Sequence, residues 1–183
     1  MKIASLSLAL IAAFALPVAA QQMGSANRNA PKVSQSIAFH NGTSLAVSYT
    51  ALNFADGKFM ENVKNERFRN MVNENAKANP VGTVTLAGSL TAGGKTLEAG
   101  SYGLHFLLHE TGRWLLTLSH KDSEGDVQLI QWPLMLKEAP SNAQRLTISL
   151  MAGEDVTSCN IHLHFGSQHV MVPVAVQTAE DKK

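Results

Sequence analysis

From Val81 to Val176 apolar side chains recur at every second position, in short runs separated by turn-forming residues. Tyr102, Leu104, Phe106 and Leu108 alternate with Gly103, His105, Leu107 and His109. Trp114, Leu116 and Leu118 do the same, as do Leu146, Ile148 and Leu150, then Cys159, Ile161, Leu163 and Phe165, then Val170, Val172, Val174 and Val176. A period of two puts one set of side chains on a buried face and the other on a solvated face. The punctuation is Gly93-Gly94, Ala99-Gly100, Glu110-Thr111-Gly112, Ala152-Gly153 and Gly166-Ser167-Gln168, residues suited to reversing an antiparallel strand. Such a pattern predicts an all-β fold, an antiparallel β-sandwich of jelly-roll-like type, with a closed barrel as the alternative.

Upstream, Val33 to Phe39 and Leu45 to Tyr49 alternate around Asn41-Gly42, a hairpin signal. Asn41-Gly42-Thr43 also fits a glycosylation acceptor, but the turn accounts for the same residues. Val127 to Leu136 is apolar and contains Pro133, which predicts an edge strand or a bulge. Glu138 to Ala143 reads as a loop. One stretch breaks the period: in Asp56–Asn79, Phe59, Val63, Met71 and Val72 stand at helical spacing among Glu, Lys, Arg and Asn. Asp56 is the expected cap and Pro80 the stop, so a single helical insertion should lie over the sheet.

The first twenty residues differ from the rest. Met1-Lys2 is positive, Ile3 to Ala20 is almost wholly small or apolar, and the run ends in Val18-Ala19-Ala20. This is the pattern of a secretory signal peptide with cleavage after Ala20, and it predicts a periplasmic or secreted protein. Ser5, Ser7 and Pro17 interrupt the run, so it makes a poor spanning helix. No other stretch is long and apolar enough to span, so no membrane span is expected after cleavage. The predicted organisation is a signal peptide (1–20), a polar leader (21–32), one β-sandwich domain (33–178) and a short tail (179–183).

Charge excludes one class of partner. The chain has 15 Lys and Arg against 14 Asp and Glu, and Lys2 leaves with the signal peptide. A balanced chain lacks the clustered cations that nucleic acid binding needs. Cys159 is the single cysteine, so no internal disulfide is available. Its alternating apolar neighbours mark it as a buried thiol.

Several segments carry a family resemblance. Ser34-Gln35-Ser36-Ile37, Leu45-Ala46-Val47-Ser48-Tyr49, the stretch Gly94-Lys95-Thr96-Leu97-Glu98-Ala99-Gly100-Ser101-Tyr102-Gly103-Leu104 and Trp114-Leu115-Leu116-Thr117-Leu118-Ser119 resemble a bacterial family of exported proteins known as domain of unknown function 2911. The resemblance implies an exported β domain and no established activity. Two segments depart from the family's pattern. Thr50-Ala51-Leu52 follows Tyr49 where a Ser-Arg-Pro is usual, and Asn73 to Pro80 replaces a Trp-Arg-x-Gly-Ala-Asn segment.

Seven histidines are the one compositional oddity. His162 and His164, two apart on a strand, share a face at about 7 Å between Cα atoms. With His105 as a third ligand, or His109, which shares its face, they would suit Zn²⁺ or Cu²⁺. The plainer alternative is that they are the polar positions of a solvated sheet face. Trp132, beside Pro133, is the expected exposed aromatic for stacking on a sugar, whereas Trp114 belongs to the core. No nucleophile elbow, phosphate loop or Cys-x-x-Cys is present in the sequence. The residues therefore predict a binding or interaction module without catalysis, for a protein or glycan partner, with a His-based metal site and a carbohydrate-binding module as alternatives.

Overall fold

The computed structural model describes residues 30–53 and 61–176. The expected signal peptide, most of the leader, Asp56, Phe59 and the tail lie outside the described residues. Within them the expected sandwich is present. One antiparallel sheet has six strands in the order β1-β2-β3-β6-β7-β8, and the other has four in the order β5-β4-β10-β9. The first contains β1 (Lys32–Ala38), β2 (Ser44–Thr50), β3 (Gly82–Leu86), β6 (Gly100–Leu108), β7 (Trp114–Lys121) and β8 (Val127–Pro133). The second contains β4 (Leu90–Ala92), β5 (Lys95–Leu97), β9 (Lys137–Ala152) and β10 (Ser158–Val176). Consecutive strands are neighbours in the larger sheet except where β4 and β5 cross to the smaller one. This connectivity is nearer a meander than the paired Greek keys of a jelly roll.

The alternation decides the layers. Leu45, Val47, Tyr49, Val84, Leu86, Tyr102, Leu104, Phe106, Trp114, Leu116 and Leu118 turn inward from the larger sheet, and all are buried. Ile148, Cys159, Leu163 and Phe165 meet them from the smaller sheet. Phe165 stands edge-on to both Trp114 and Phe106, with ring centroids 6.1 and 6.2 Å apart. Side chains, more than backbone, join the sheets at their margins. Tyr49 accepts the Ile148 N–H at 2.9 Å, and Gln35 bonds both the Ile148 carbonyl and the Leu150 N–H at 3.0 Å. At the opposite margin Trp132 Nε1–H donates to the Ala92 carbonyl at 2.8 Å. The expected edge character of the Pro133 segment holds, since β8 is an outer strand. The Asn41-Gly42 reversal holds as well: Gly42 has φ +82° and Asn41 Oδ1 accepts the Thr43 N–H at 3.0 Å.

Two segments differ from expectation. The expected helical stretch is broken at residues 63–65, after which α1 (Glu66–Ala78) begins, capped by Asn65, whose side chain accepts the Phe68 N–H at 3.2 Å. Asn65 is a favoured N-cap residue, and its extended backbone separates α1 from the helical residues 61 and 62. The helix ends before Pro80, as expected. Val72 is its buried residue, while Met71 is exposed. The second difference is in β9, which includes the stretch 138–143 expected to be a loop. Two register shifts interrupt the β9–β10 pairing, and no residue between Glu138 and Ala143 has a β10 partner. Pro140 is tolerated there because no ladder bond needs its missing N–H.

The expected turn at Gly166 explains an unusual strand. Extended, the 19 residues of β10 would span about 60 Å, yet its last residue bonds back beside its first: the Val176 N–H donates to the Thr157 carbonyl at 2.8 Å. β10 therefore folds back on itself at Gly166, where φ is +57°. A positive φ is what a tight two-residue hairpin turn requires. Stepping inward from Thr157 and Val176 places Leu163 opposite Val170 and His164 opposite His169. The buried residues agree, with Leu163 in one arm and Val170, Val172 and Val174 in the other all facing the core.

Candidate functional site

Two places in the molecule gather groups capable of binding. The first is a pocket where α1 covers one end of the sandwich. Phe106, Trp114 and Phe165 line it from the sheets, Val72 and Ala76 from the helix, and Leu146 from β9; Thr50, Asn53, Asn79 and His105 supply the polar groups. Its volume is about 60 Å³, room for a few waters or a small apolar group.

The helix is held over this pocket by two polar clamps. Asn73 bonds both the carbonyl and the N–H of Leu108. His105, only 4% exposed, places Nδ1 at 2.7 Å from the Ala76 carbonyl and Nε2 at 2.8 Å from the Ser119 hydroxyl. A carbonyl oxygen can only accept, so Nδ1 carries the hydrogen, and in the neutral ring Nε2 accepts from Ser119. Gly103 makes room for this bond: a Cβ there would stand 2.6 Å from Ser119 Oγ and 3.0 Å from His105 Nε2.

This assignment corrects the expected metal set. His105 sits on the outward face of β6, beneath α1, in the six-stranded sheet. His162 and His164 sit on the outward face of β10 in the other sheet, with the core between. His105 is thus a structural tie, both of whose ring nitrogens are engaged, and it does not join them. His109 does not either; its ring bonds Thr111 in the following turn, at 2.9 Å.

The second place is the outer face of β10. His162 and His164 lie side by side as their spacing predicts, with ring centroids 6.0 Å apart. Their neighbour is His169, brought across by the fold at Gly166. His162 Nε2 is 3.1 Å from His169 Nδ1, and the two rings stand edge to face at 5.3 Å. His164 Nε2 turns instead to the Ser141 carbonyl at 3.1 Å. Among the described residues no three His, Cys, Asp or Glu side chains converge as a ready ligand group. Partial burial, first, and then the charges of His169 and His164 hold His162 below the ordinary histidine range, favouring the neutral ring. His169 is absent from the expected set, although the sequence carries a signal for it. A two-residue reversal at Gly166-Ser167 makes His164 and His169 cross-strand partners.

Trp132 is 7% exposed, and the Lys95 ammonium lies 5.8 Å from its ring centroid. It closes the sandwich margin and offers no open face to a sugar. Trp114 belongs to the core, as expected. Cys159 is free and buried, and burial pushes its thiol up to about 11. No helix among the described residues is long and apolar enough to cross a membrane. No family model, no curated protein and no solved structure matches this chain, so the family resemblance rests on the quoted sequence segments alone.

Proposed function

We propose that this protein is a non-catalytic binding domain, exported from the cytoplasm, that takes a small, mainly apolar ligand with one hydrogen-bonding group between α1 and the open end of the sandwich. The observation that carries this reading is the pocket itself. Three core aromatics and aliphatic residues of α1 and β9 line it, with a few polar groups among them, the usual composition of a small-molecule site. Its volume limits the buried part of the ligand to a single ring or a short chain. The signal-peptide pattern of residues 1–20 supports export, and the resemblance to an exported family points the same way.

Trp114 lines the pocket and reports on its contents. Titration with phenol and with straight-chain alcohols from butanol to octanol should produce a saturable change in tryptophan emission and a higher Tm. Ala76→Phe fills the pocket from the helix side and should abolish both responses while the circular dichroism spectrum stays that of the parent. Emission and Tm that respond to none of these compounds would sink the reading.

A further inference from the structure

We propose that His162 and His169 form a chelating pair for a divalent transition-metal ion, Cu²⁺ before Zn²⁺, with His164 as an adjacent third imidazole. This site is separate from the pocket under α1 and shares no residue with it.

The geometry of the pair carries the inference. Two imidazole nitrogens bound to one metal at about 2.0–2.1 Å are about 2.8–3.0 Å apart at a right angle and about 3.3–3.4 Å apart at a tetrahedral angle. His162 Nε2 and His169 Nδ1 are 3.1 Å apart, between these two separations, so a metal can replace their hydrogen bond without a change in the spacing of the nitrogens, once both rings pivot to turn their lone pairs onto the ion. Neither ring needs to lose a proton overall. The nitrogen that donates the present hydrogen bond passes its hydrogen to its own ring's other nitrogen, a change of tautomer that leaves two lone pairs facing the ion.

The surroundings suit the chemistry. All three histidines are half-buried, on strands pinned by the β9 ladder: His162 pairs Ser149, His164 pairs Thr147 and His169 pairs Lys137. The ring positions are therefore fixed by backbone, as a preorganised site requires. The third ring, 6.0 Å from His162, is held by one bond to the Ser141 carbonyl. Rotation away from that carbonyl brings a further nitrogen toward the ion. A ligand set of imidazoles alone favours Cu²⁺ over Zn²⁺ by the general affinity order of these ions, and the positions they leave open are filled by water.

The test uses the exported chain made without a polyhistidine tag. Calorimetric titration with Cu²⁺ near pH 7.5, in the presence of glycine as a weak competitor, should give one ion per chain. The electron paramagnetic resonance spectrum should show coupling to two or three imidazole nitrogens. His169→Ala should weaken binding at least tenfold, and His164→Ala should weaken it less. His109→Ala, which alters a histidine away from this face, should leave binding unchanged. Zn²⁺ added to the unmodified chain should shift the ring resonances of His162 and His169, a readout that depends on no variant folding. Absence of saturable Cu²⁺ binding, or binding that His169→Ala leaves intact with those resonances unmoved, would overturn the proposal. Either result leaves the pocket reading where it stands, because that reading is measured through Trp114.

Discussion

Asn73 and Leu108 grip each other across the boundary between helix and sheet. The Asn73 side chain donates from Nδ2 to the Leu108 carbonyl at 2.8 Å and accepts the Leu108 N–H at Oδ1 at 2.7 Å. One side-chain amide thereby stands in for a strand partner at the end of β6. It fixes α1 at the height that leaves the pocket open beneath it. Asn73→Ala removes both bonds and leaves two half-buried backbone groups unsatisfied, at a cost of about 1–3 kcal/mol. For a domain of this size that is a fall in Tm of about 2–4 °C per kcal/mol. Asn73→Asp should rescue little, because it restores the acceptor but sets a carboxylate against the Leu108 carbonyl. Thermal denaturation of the three proteins checks the ordering, and a Tm for Asn73→Ala equal to that of the parent contradicts it.

Acid should loosen the fold through the β10 histidines. His162 titrates below its ordinary value because it is partly buried and because His169 and His164 lie beside it. Lowering a histidine's folded pKa means that, as pH falls below about 6.5, the unfolded chain takes up the proton first. The stability that the neutral ring contributes is complete above that pH and is lost as pH drops through the folded value. Tm should fall between pH 7 and pH 5, and His162→Asn should flatten that part of the profile. An unchanged slope in the variant would assign the acid sensitivity elsewhere.

The sheets were legible in the sequence because their signal is local and strong. Alternation fixed which side chains of β2, β6, β7 and β10 face inward, and glycine-bearing turns fixed most of the ends. The break ahead of α1 was not legible, since Asn65 is one of several asparagines in that stretch, each a possible cap, and only packing singles it out: Val72 is buried and Asn73 bonds Leu108 of β6. The burial of Trp132 was hidden for a related reason. Its neighbour Pro133 does mark an edge strand, but the edge of one sheet is covered here by the Ala92 carbonyl and Lys95 of the other, a contact between segments distant in sequence. The histidines show the same division. His162 and His164 are paired by local spacing alone, whereas adding His169 and removing His105 required knowing which strands fold together.

Cys159 should be silent toward thiol reagents until the protein unfolds. It is 1% exposed and packed between the sheets, and burial raises its thiol to about 11. The thiolate is the reactive form, so at pH 8 a native chain should release almost no chromophore from an aromatic disulfide reagent. In denaturant the same chain should release one equivalent, from its single cysteine. Fast stoichiometric labelling of the native protein would mean that the margin between β9 and β10 opens far more readily than its packing implies.

Two side chains of the larger sheet fasten it to β9. The β9 backbone between Ile148 and Leu150 bonds outward to side chains of the opposite sheet, with Tyr49 taking the Ile148 N–H and Gln35 taking the Ile148 carbonyl and the Leu150 N–H. Tyr49→Phe changes almost nothing in shape and strands one buried N–H, which should cost about 1–3 kcal/mol. Gln35→Ala strands two partly buried groups and should cost a comparable amount. Because both side chains hold the same short piece of β9, their losses should not add. Once one clamp is released, the strand margin can shift to reach water, and the second substitution should cost less by about 0.5 kcal/mol or more. Denaturant unfolding of the two single variants and the double variant measures this coupling directly, and strict additivity would show that the two clamps act on independent parts of the margin.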